Sequence, residues 1–281
     1  MTIKTSSVCV VGRGIRHSRS PIIHGYWIKQ YDLNAQYTIC DMEEAELADL
    51  IVSIRAGEKM GCNVTVPYKQ EVIQYLDQLD PAAISTGSVN TIYLKNGLVC
   101  GTSTDGQGYV SHLTQTYPSF TVVDSTILIL GAGGAARSIA VALVDAGCTQ
   151  ILVSNRTIEK ARDLEKLQPA EISTIEWSQI NQAAAKTDLV INTTSLGMTG
   201  KPALQFSVSD TKAGCIISDI VYSPLETQLL ADAHTHGRPT LDGLGMLLHQ
   251  AAPGFRLWFG KSPRVTPELR DLVKQDLLVN G

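Results

Sequence analysis

The six residues Gly131-Ala132-Gly133-Gly134-Ala135-Ala136 follow an apolar run and open a helical pattern. This G-x-G-x-x-A spacing suits a dinucleotide. Gly131 allows the tight turn, Gly133 lets the backbone approach a pyrophosphate, and Ala136 lets the helix pack close to the sheet. Gly134 and Ala135 begin that helix, whose free N–H groups and positive dipole end attract phosphate. The same glycines without flanking elements would be an ordinary strand-to-helix turn; with a strand before and a helix after, they read as a cofactor site. At the end of the next apolar run stand Asn155-Arg156-Thr157. An NAD enzyme carries Asp or Glu near this point for the ribose 2′-hydroxyl. Here there is no carboxylate, and Arg156 can pair bidentately with a 2′-phosphate, so NADP is the expected cofactor. Lys160, one turn on, reads as a solvated helix lysine.

Three further segments carry polar residues of particular types: His17-Ser18-Arg19-Ser20-Pro21, Asn63-Val64-Thr65-Val66-Pro67-Tyr68-Lys69, and Thr104-Asp105-Gly106 after Val89-Asn90-Thr91. Singly, each has a plain structural account, with Ser20 and Asp105 as helix caps and Lys69 decorating a first helical turn. Taken in order with the glycine turn, Asn155-Arg156-Thr157 and Asp219-Ile220-Val221-Tyr222-Ser223-Pro224, they resemble the shikimate dehydrogenase family over essentially the whole chain. The densest match is Asn63, Val64, Thr65, Pro67 and Lys69.

The resemblance implies an NADP-dependent dehydrogenase acting on a CH–OH group, reversibly reducing 3-dehydroshikimate to shikimate on the route to chorismate and aromatic amino acids. It implies that Ser18 and Ser20 hold the substrate carboxylate, which two hydroxyl donors can do without a buried cation. Asn63, Thr65, Asn90 and Asp105 resemble the family's ring-hydroxyl ligands, Tyr222 a tyrosine close to the substrate, and Gln250 the last substrate contact. Lys69 and Asp105 resemble the catalytic pair. Reducing a ketone by hydride transfer leaves an alkoxide, which needs a proton and a positive charge close by. An ammonium supplies both, and a carboxylate orients it and keeps it protonated. On the cofactor side, Thr193 and Ser195 match a second nucleotide-contacting loop, and the resemblance puts Gly243 and Met246 near the nicotinamide. It implies no metal.

Two positions depart from the family pattern. Ser103 stands where the family commonly has Asn before Thr-Asp, and Gly25 stands where it often has Asn after His24. Neither removes an expected catalytic group, but both leave paralogous quinate and aminoshikimate dehydrogenases open as alternatives. Serine at both 18 and 20 favours shikimate. A non-catalytic NADP-binding sensor is a rival of another class, and the retention of Lys69 together with Asp105 speaks against it.

Positioning these loops takes an α/β chain in which short β-rich runs alternate with helical patterns. The first part predicts a strand over 6–12, a helix capped by Ser20 with Pro21 at its first position, and a strand over 36–40. A helix capped by Asp41 with Glu44 follows, then a strand over 62–66, a helix starting at Pro67, and a hairpin turning at Asn96-Gly97. Beyond a helix from Gly106, the near-continuous apolar runs 126–131, 150–155, 188–194 and 216–222 predict strands buried on both faces. Helices over 135–146 and 158–167 between them complete a doubly wound sheet. Helical patterns return over 244–257 and 268–278. The expected architecture is therefore two α/β domains. Residues 1–105 with 245–281 form the substrate domain, and 106–244 form a Rossmann NADP-binding domain.

The 281 residues are 44% hydrophobic and 18% charged, with 23 Lys+Arg against 27 Asp+Glu for a formal charge of -4. That supplies a core for one large domain or two ordinary ones and excludes disordered and collagen-like chains. Acidity spread without a basic block speaks against nucleic-acid and anionic-membrane partners. Cys9, Cys40, Cys62, Cys100, Cys148 and Cys215 form no C-x-x-C pair, so they read as small buried hydrophobes in a reducing compartment. The apolar run before Gly12-Arg13 is short for a signal-peptide core, and 126–136 is short for a bilayer span. The expectation is a soluble cytoplasmic protein, monomer or homodimer, with a small-molecule substrate as its partner.

Overall fold

The structure, a computed structural model, describes residues 5–280. The chain divides into two compact units, Met1–Thr104 with Gln250–Gln275, and Asp105–His249 with Asp276–Gly281.

In the first unit, β1 (Ser6–Gly12), β2 (Ala35–Asp41), β3 (Gly61–Val64), β4 (Gln78–Leu79), β5 (Thr91–Lys95) and β6 (Leu98–Thr102) form a mixed sheet in the order β2-β1-β3-β5-β6-β4. β1 runs parallel to β2 and β3, while β5 is antiparallel to both β3 and β6. Helices α1 (Ser20–Gln30), α2 (Leu47–Arg55) and α3 (Pro81–Thr86) belong to this unit. Leu47, Leu50, Ile51 and Ile54 fall on one stripe of α2 and pack with Cys9, Val11, Cys62 and Val64, the alternate residues of β1 and β3. The hairpin turns at Asn96 and Gly97, both with positive φ, 52° and 77°, as a two-residue hairpin loop demands.

Three local expectations give way. The cap of α1 is Arg19 rather than Ser20, which is the first helical residue. Asp41 ends β2 and accepts a hydrogen bond from the Gly14 N–H at 2.7 Å. The capping box is made by Glu43 and Glu46 on a short 3-10 turn ahead of α2. Pro67 opens no α-helix: β3 stops at Val64, the chain turns through 65–70, and a 3-10 segment over Glu71–Tyr75 follows.

In the second unit, β7 (Thr126–Leu130), β8 (Gln150–Ser154), β9 (Ile172–Thr174), β10 (Leu189–Asn192), β11 (Ile216–Asp219) and β12 (Thr240–Leu241) lie in the order β12-β11-β10-β7-β8-β9. Every neighbouring pair is parallel. The strand order reverses between β7 and β10, the point at which open α/β sheets bind ligands. The helices are α4 (Asp105–Thr116), α5 (Gly134–Asp145), α6 (Ile158–Glu165), α7 (Ile180–Ala184) and α8 (Gln228–Thr235), before α9 (Gly243–Phe259) and α10 (Pro267–Asn280). Ile127 and Ile129 face Ile139, Ala140 and Leu143 of α5. Leu128 and Leu130 join Ile180 of α7 and Leu229 of α8 in a separate cluster. Helices on both faces are why β7 reads as an unbroken apolar run.

Asp105 opens α4 and goes with the second unit, and the return to the first unit falls inside α9, between His249 and Gln250. The first turns of α9 are held in the second unit by close packing. A Cβ on Gly243 would lie 2.2 Å from the Ile220 carbonyl oxygen, and one on Gly245 would lie 2.1 Å from the His112 ring. No helix of the described residues is long and apolar enough to cross a membrane.

Candidate active site

The first unit draws several expected substrate residues into one buried hydrogen-bonded network. Asn63, near the end of β3, donates from Nδ2 to the Asn90 carbonyl (3.1 Å) and to Thr91 Oγ1 (3.0 Å). Thr91 Oγ1 in turn donates to Asn90 Oδ1 at 3.0 Å, which also accepts from the Thr104 N–H at 2.8 Å. Asn90 Nδ2 reaches Thr104 Oγ1 (3.0 Å) and Gln250 Oε1 (3.4 Å), and Thr104 Oγ1 donates to the Gln250 carbonyl (2.8 Å). Asn63, Asn90, Thr91 and Thr104 are all buried. Such amides hold one orientation only because every partner is satisfied.

The Ser18 hydroxyl accepts from the Ser20 N–H at 3.3 Å, so the pair shares the turn that opens α1. Thr65 donates its N–H to the Val11 carbonyl at 2.9 Å, fixing the turn after β3 to the end of β1. Half-buried Lys69 accepts from the Val89 N–H at 2.8 Å, which ties its backbone beside the Asn90 segment. Asp105 is buried at the start of α4, directly after Thr104. Gly106 is required there, because a Cβ would lie 2.0 Å from the Ser138 carbonyl oxygen on α5.

Two residues of this region carry more than the sequence revealed. Tyr37 on β2 donates its hydroxyl to Asn63 Oδ1 at 2.6 Å, and the Ser20 side chain hydrogen-bonds the same phenol. Burial pushes the Tyr37 phenol well above its ordinary range. Stacked on it at 4.2 Å is His24, fully buried, whose pKa burial pulls down to about 3 while nearby Asn63 opposes the shift. Neither His24 ring nitrogen makes a well-formed hydrogen bond. The signal for Tyr37 was its inward register on β2, where it pairs with Val8 of β1; periodicity marks such a residue as core and is silent about its hydroxyl. Arg19, between the two serines, is itself buried, and its guanidinium donates to the His17 carbonyl.

The second unit assembles the expected nucleotide residues at the strand ends around the switch point. Gly131 has φ +111°, and its N–H donates to the Ser154 carbonyl at 2.7 Å. Gly133 caps α5 with no side-chain hydrogen bond, and a Cβ there would meet nothing within 4 Å. With α5 starting at Gly134 and no side-chain cap, the first-turn N–H groups lack intrahelical partners, the arrangement that accepts phosphate. On one side, Asn155 Nδ2 donates to the Thr157 carbonyl at 2.8 Å, and exposed Arg156 stands at the tip between them. Thr157 caps α6 without using its hydroxyl. On the other side, the Thr193 N–H and Oγ1 both donate to the Leu130 carbonyl at 2.8 Å, with Ser195 exposed beyond. Met246 is buried in the apolar cluster that includes α5, and Tyr222 is half-buried after β11.

Asp219 ties this end of the unit together, a task the motif alone did not disclose. Its carboxylate accepts from Asn192 Nδ2 (3.0 Å), the Val221 N–H (3.0 Å) and Thr227 Oγ1 (2.7 Å), joining the 192–196 turn to the segment that leads to Tyr222. Burial raises its pKa, and these three bonds oppose the shift. Among the described residues no group of three or more His, Cys, Asp or Glu is placed to hold a metal ion, and the six cysteines are free thiols.

A parallel sheet in Rossmann strand order, a glycine turn at its switch point and a separate α/β unit with a buried amide network define a dinucleotide-binding protein of the doubly wound class. Family models give its place within that class. The shikimate dehydrogenase substrate binding domain matches residues 10–92, the shikimate/quinate 5-dehydrogenase model matches 113–205, and the shikimate 5′-dehydrogenase C-terminal domain matches 243–267. The shikimate dehydrogenase (NADP(+)) of Rhodopseudomonas palustris is 41% identical over 277 residues, 99% of both chains. The chain belongs to the shikimate dehydrogenase family. Its fold is similar to the crystal structure of shikimate dehydrogenase from Aquifex aeolicus, with TM-score 0.86, 32% identity and 99% of both chains covered. It is also similar to 5-ketofructose reductase of Gluconobacter sp., with TM-score 0.88, 28% identity and 99% of both chains covered.

Proposed function

We propose that this protein is an NADP-dependent shikimate dehydrogenase, reversibly reducing 3-dehydroshikimate to shikimate. The observation that carries the reading is the buried network joining Asn63, Asn90 and Gln250, with Ser20 linked to it through Tyr37. A polyhydroxylated acid needs such a set of fixed amides and hydroxyls for its ring substituents and its carboxylate. The name of the 41%-identical relative, shikimate dehydrogenase (NADP(+)), points to the same substrate and cofactor.

The residues around the switch point suit NADP. The pyrophosphate would rest on Gly131, Gly133, Gly134 and Ala135, where an added side chain at Gly133 would fill open space, and the 2′-phosphate on Asn155, Arg156 and Thr157. Thr193, Ser195, Gly243 and Met246 complete the cofactor set. When bound, NADP supplies or accepts the hydride. Lys69 then donates the proton to the carbonyl oxygen as negative charge develops on it, and takes it back in the reverse direction. The Asp105 carboxylate keeps that ammonium protonated and oriented. Ser18 and Ser20 hold the substrate carboxylate, Asn63, Thr65, Asn90 and Gln250 the ring hydroxyls, and Tyr222 lies close to the ring. In this reading residues 1–105 and the returning C-terminal helices form the substrate domain, and the protein works in the cytoplasm as a monomer or homodimer.

The test is to mix the protein with shikimate and NADP and follow the absorbance of the reduced nicotinamide. Turnover is expected. Silence with both shikimate and quinate, despite measurable NADP binding, would overturn the reading in favour of a binding protein.

A further inference from the structure

Asn63 has no donor left to give a ligand. One N–H goes to the Asn90 carbonyl, which can only accept, so the amide orientation is dictated; the other goes to Thr91 Oγ1, whose own proton is on Asn90. What remains is Oδ1, with one lone pair already taken by the Tyr37 hydroxyl. Tyr37 reaches this amide over β1: it pairs with Val8 on one side of that strand, while Asn63 pairs with Val10 on the other. Its phenol is also hydrogen-bonded by Ser20 from α1. The ring itself is braced, lying parallel to His24 at 4.2 Å and tilted against Trp258 at 6.1 Å.

We infer that Tyr37 is a positioning residue for substrate recognition, holding Ser20 and Asn63 in one geometry, while the Asn90 carbonyl and Thr91 leave Asn63 to meet a ligand hydroxyl only as an acceptor. The inference rests on the substrate reading above. It adds a specificity rule. At Asn63 a free ring hydroxyl, which can donate, is recognised, and an ether oxygen at the same position is rejected because it brings no proton. Without the phenol hydroxyl, Oδ1 loses its internal partner, and Ser20 loses the group that aligns it.

The experiment is steady-state kinetics of wild type and Tyr37→Phe, varying shikimate at saturating NADP and NADP at saturating shikimate, with thermal unfolding of both proteins alongside. Phenylalanine keeps the ring and its stacking on His24. The expected result is a rise in KM for shikimate of about tenfold, the scale of one well-placed hydrogen bond. KM for NADP stays within about twofold, and the preference for shikimate over its ring O-methyl ethers persists, because Asn90 and Thr91 still occupy both Asn63 donors. An unchanged KM for shikimate, or losses for both ligands that merely follow a lowered Tm, would make Tyr37 a structural residue and overturn the inference. Wild-type silence with shikimate would overturn the substrate reading, and the inference with it, before any variant is compared.

Discussion

Gly131 and Thr193 approach so closely that a Cβ on Gly131 would lie 2.5 Å from Thr193 Oγ1. The glycine turn and the loop after β10 are therefore fitted to each other, and the positive φ of +111° at Gly131 adds backbone strain to any side chain placed there. Gly131→Ala should cost about 1–3 kcal/mol of stability and raise KM for NADP, because both loops must shift. Thermal unfolding with NADP kinetics checks this. A variant with wild-type Tm and KM would mean the contact is relieved without consequence.

Lys69→Ala should lower kcat by about 10²–10⁴ with the fold intact, the range for a lost proton-transfer group. KM for NADP should change little. Circular dichroism and single-turnover rates separate this outcome from misfolding, and an unchanged kcat would remove Lys69 from its role.

Arg156→Ala should raise KM for NADP while leaving use of NAD nearly untouched, since only the former carries a 2′-phosphate for the guanidinium to meet. The ratio of kcat/KM for the two cofactors is the readout. Equal losses with both would mark Arg156 as structural.

His24 gives the protein an acid sensitivity of calculable sign. Its pKa falls from the ordinary 6.5 to about 3 on folding, so between those values the unfolded chain binds a proton that the folded one refuses. The stability it contributes is complete above the unfolded pKa and is lost as pH falls through this window. The loss from about pH 7 to about pH 5 should be roughly 2 kcal/mol. Urea unfolding at the two pH values, compared with His24→Phe, tests it. The variant should show a flatter dependence, and an identical slope would contradict the assignment to His24.

Much of the fold was legible because its signals are local. Continuous apolar runs mark strands covered on both faces, as Ile127–Leu130 are, and Asn96-Gly97 specifies its own turn. Element starts were less legible, because caps compete over neighbouring residues. Glu43 with Glu46 took the role expected of Asp41, whose carboxylate is held by Gly14 and Arg16 from the loop after β1. The short pieces β4, β9 and β12 carry too few residues for a period to show. Residue types drew attention to Asn63, Asn90 and Lys69, whereas Tyr37 and Asp219 are tied to Asn63 and Asn192, 26 and 27 residues away in the chain. No spacing rule links Tyr37 to Asn63, because what joins them is the register of three parallel strands.

The central claim is a shikimate dehydrogenase that uses NADP, and the most direct test sets four values of kcat/KM side by side, for shikimate and quinate, each with NADP and NAD. Shikimate with NADP should give the largest value, by about tenfold or more over each of the others. A larger value for quinate, or for NAD with either substrate, would contradict the account.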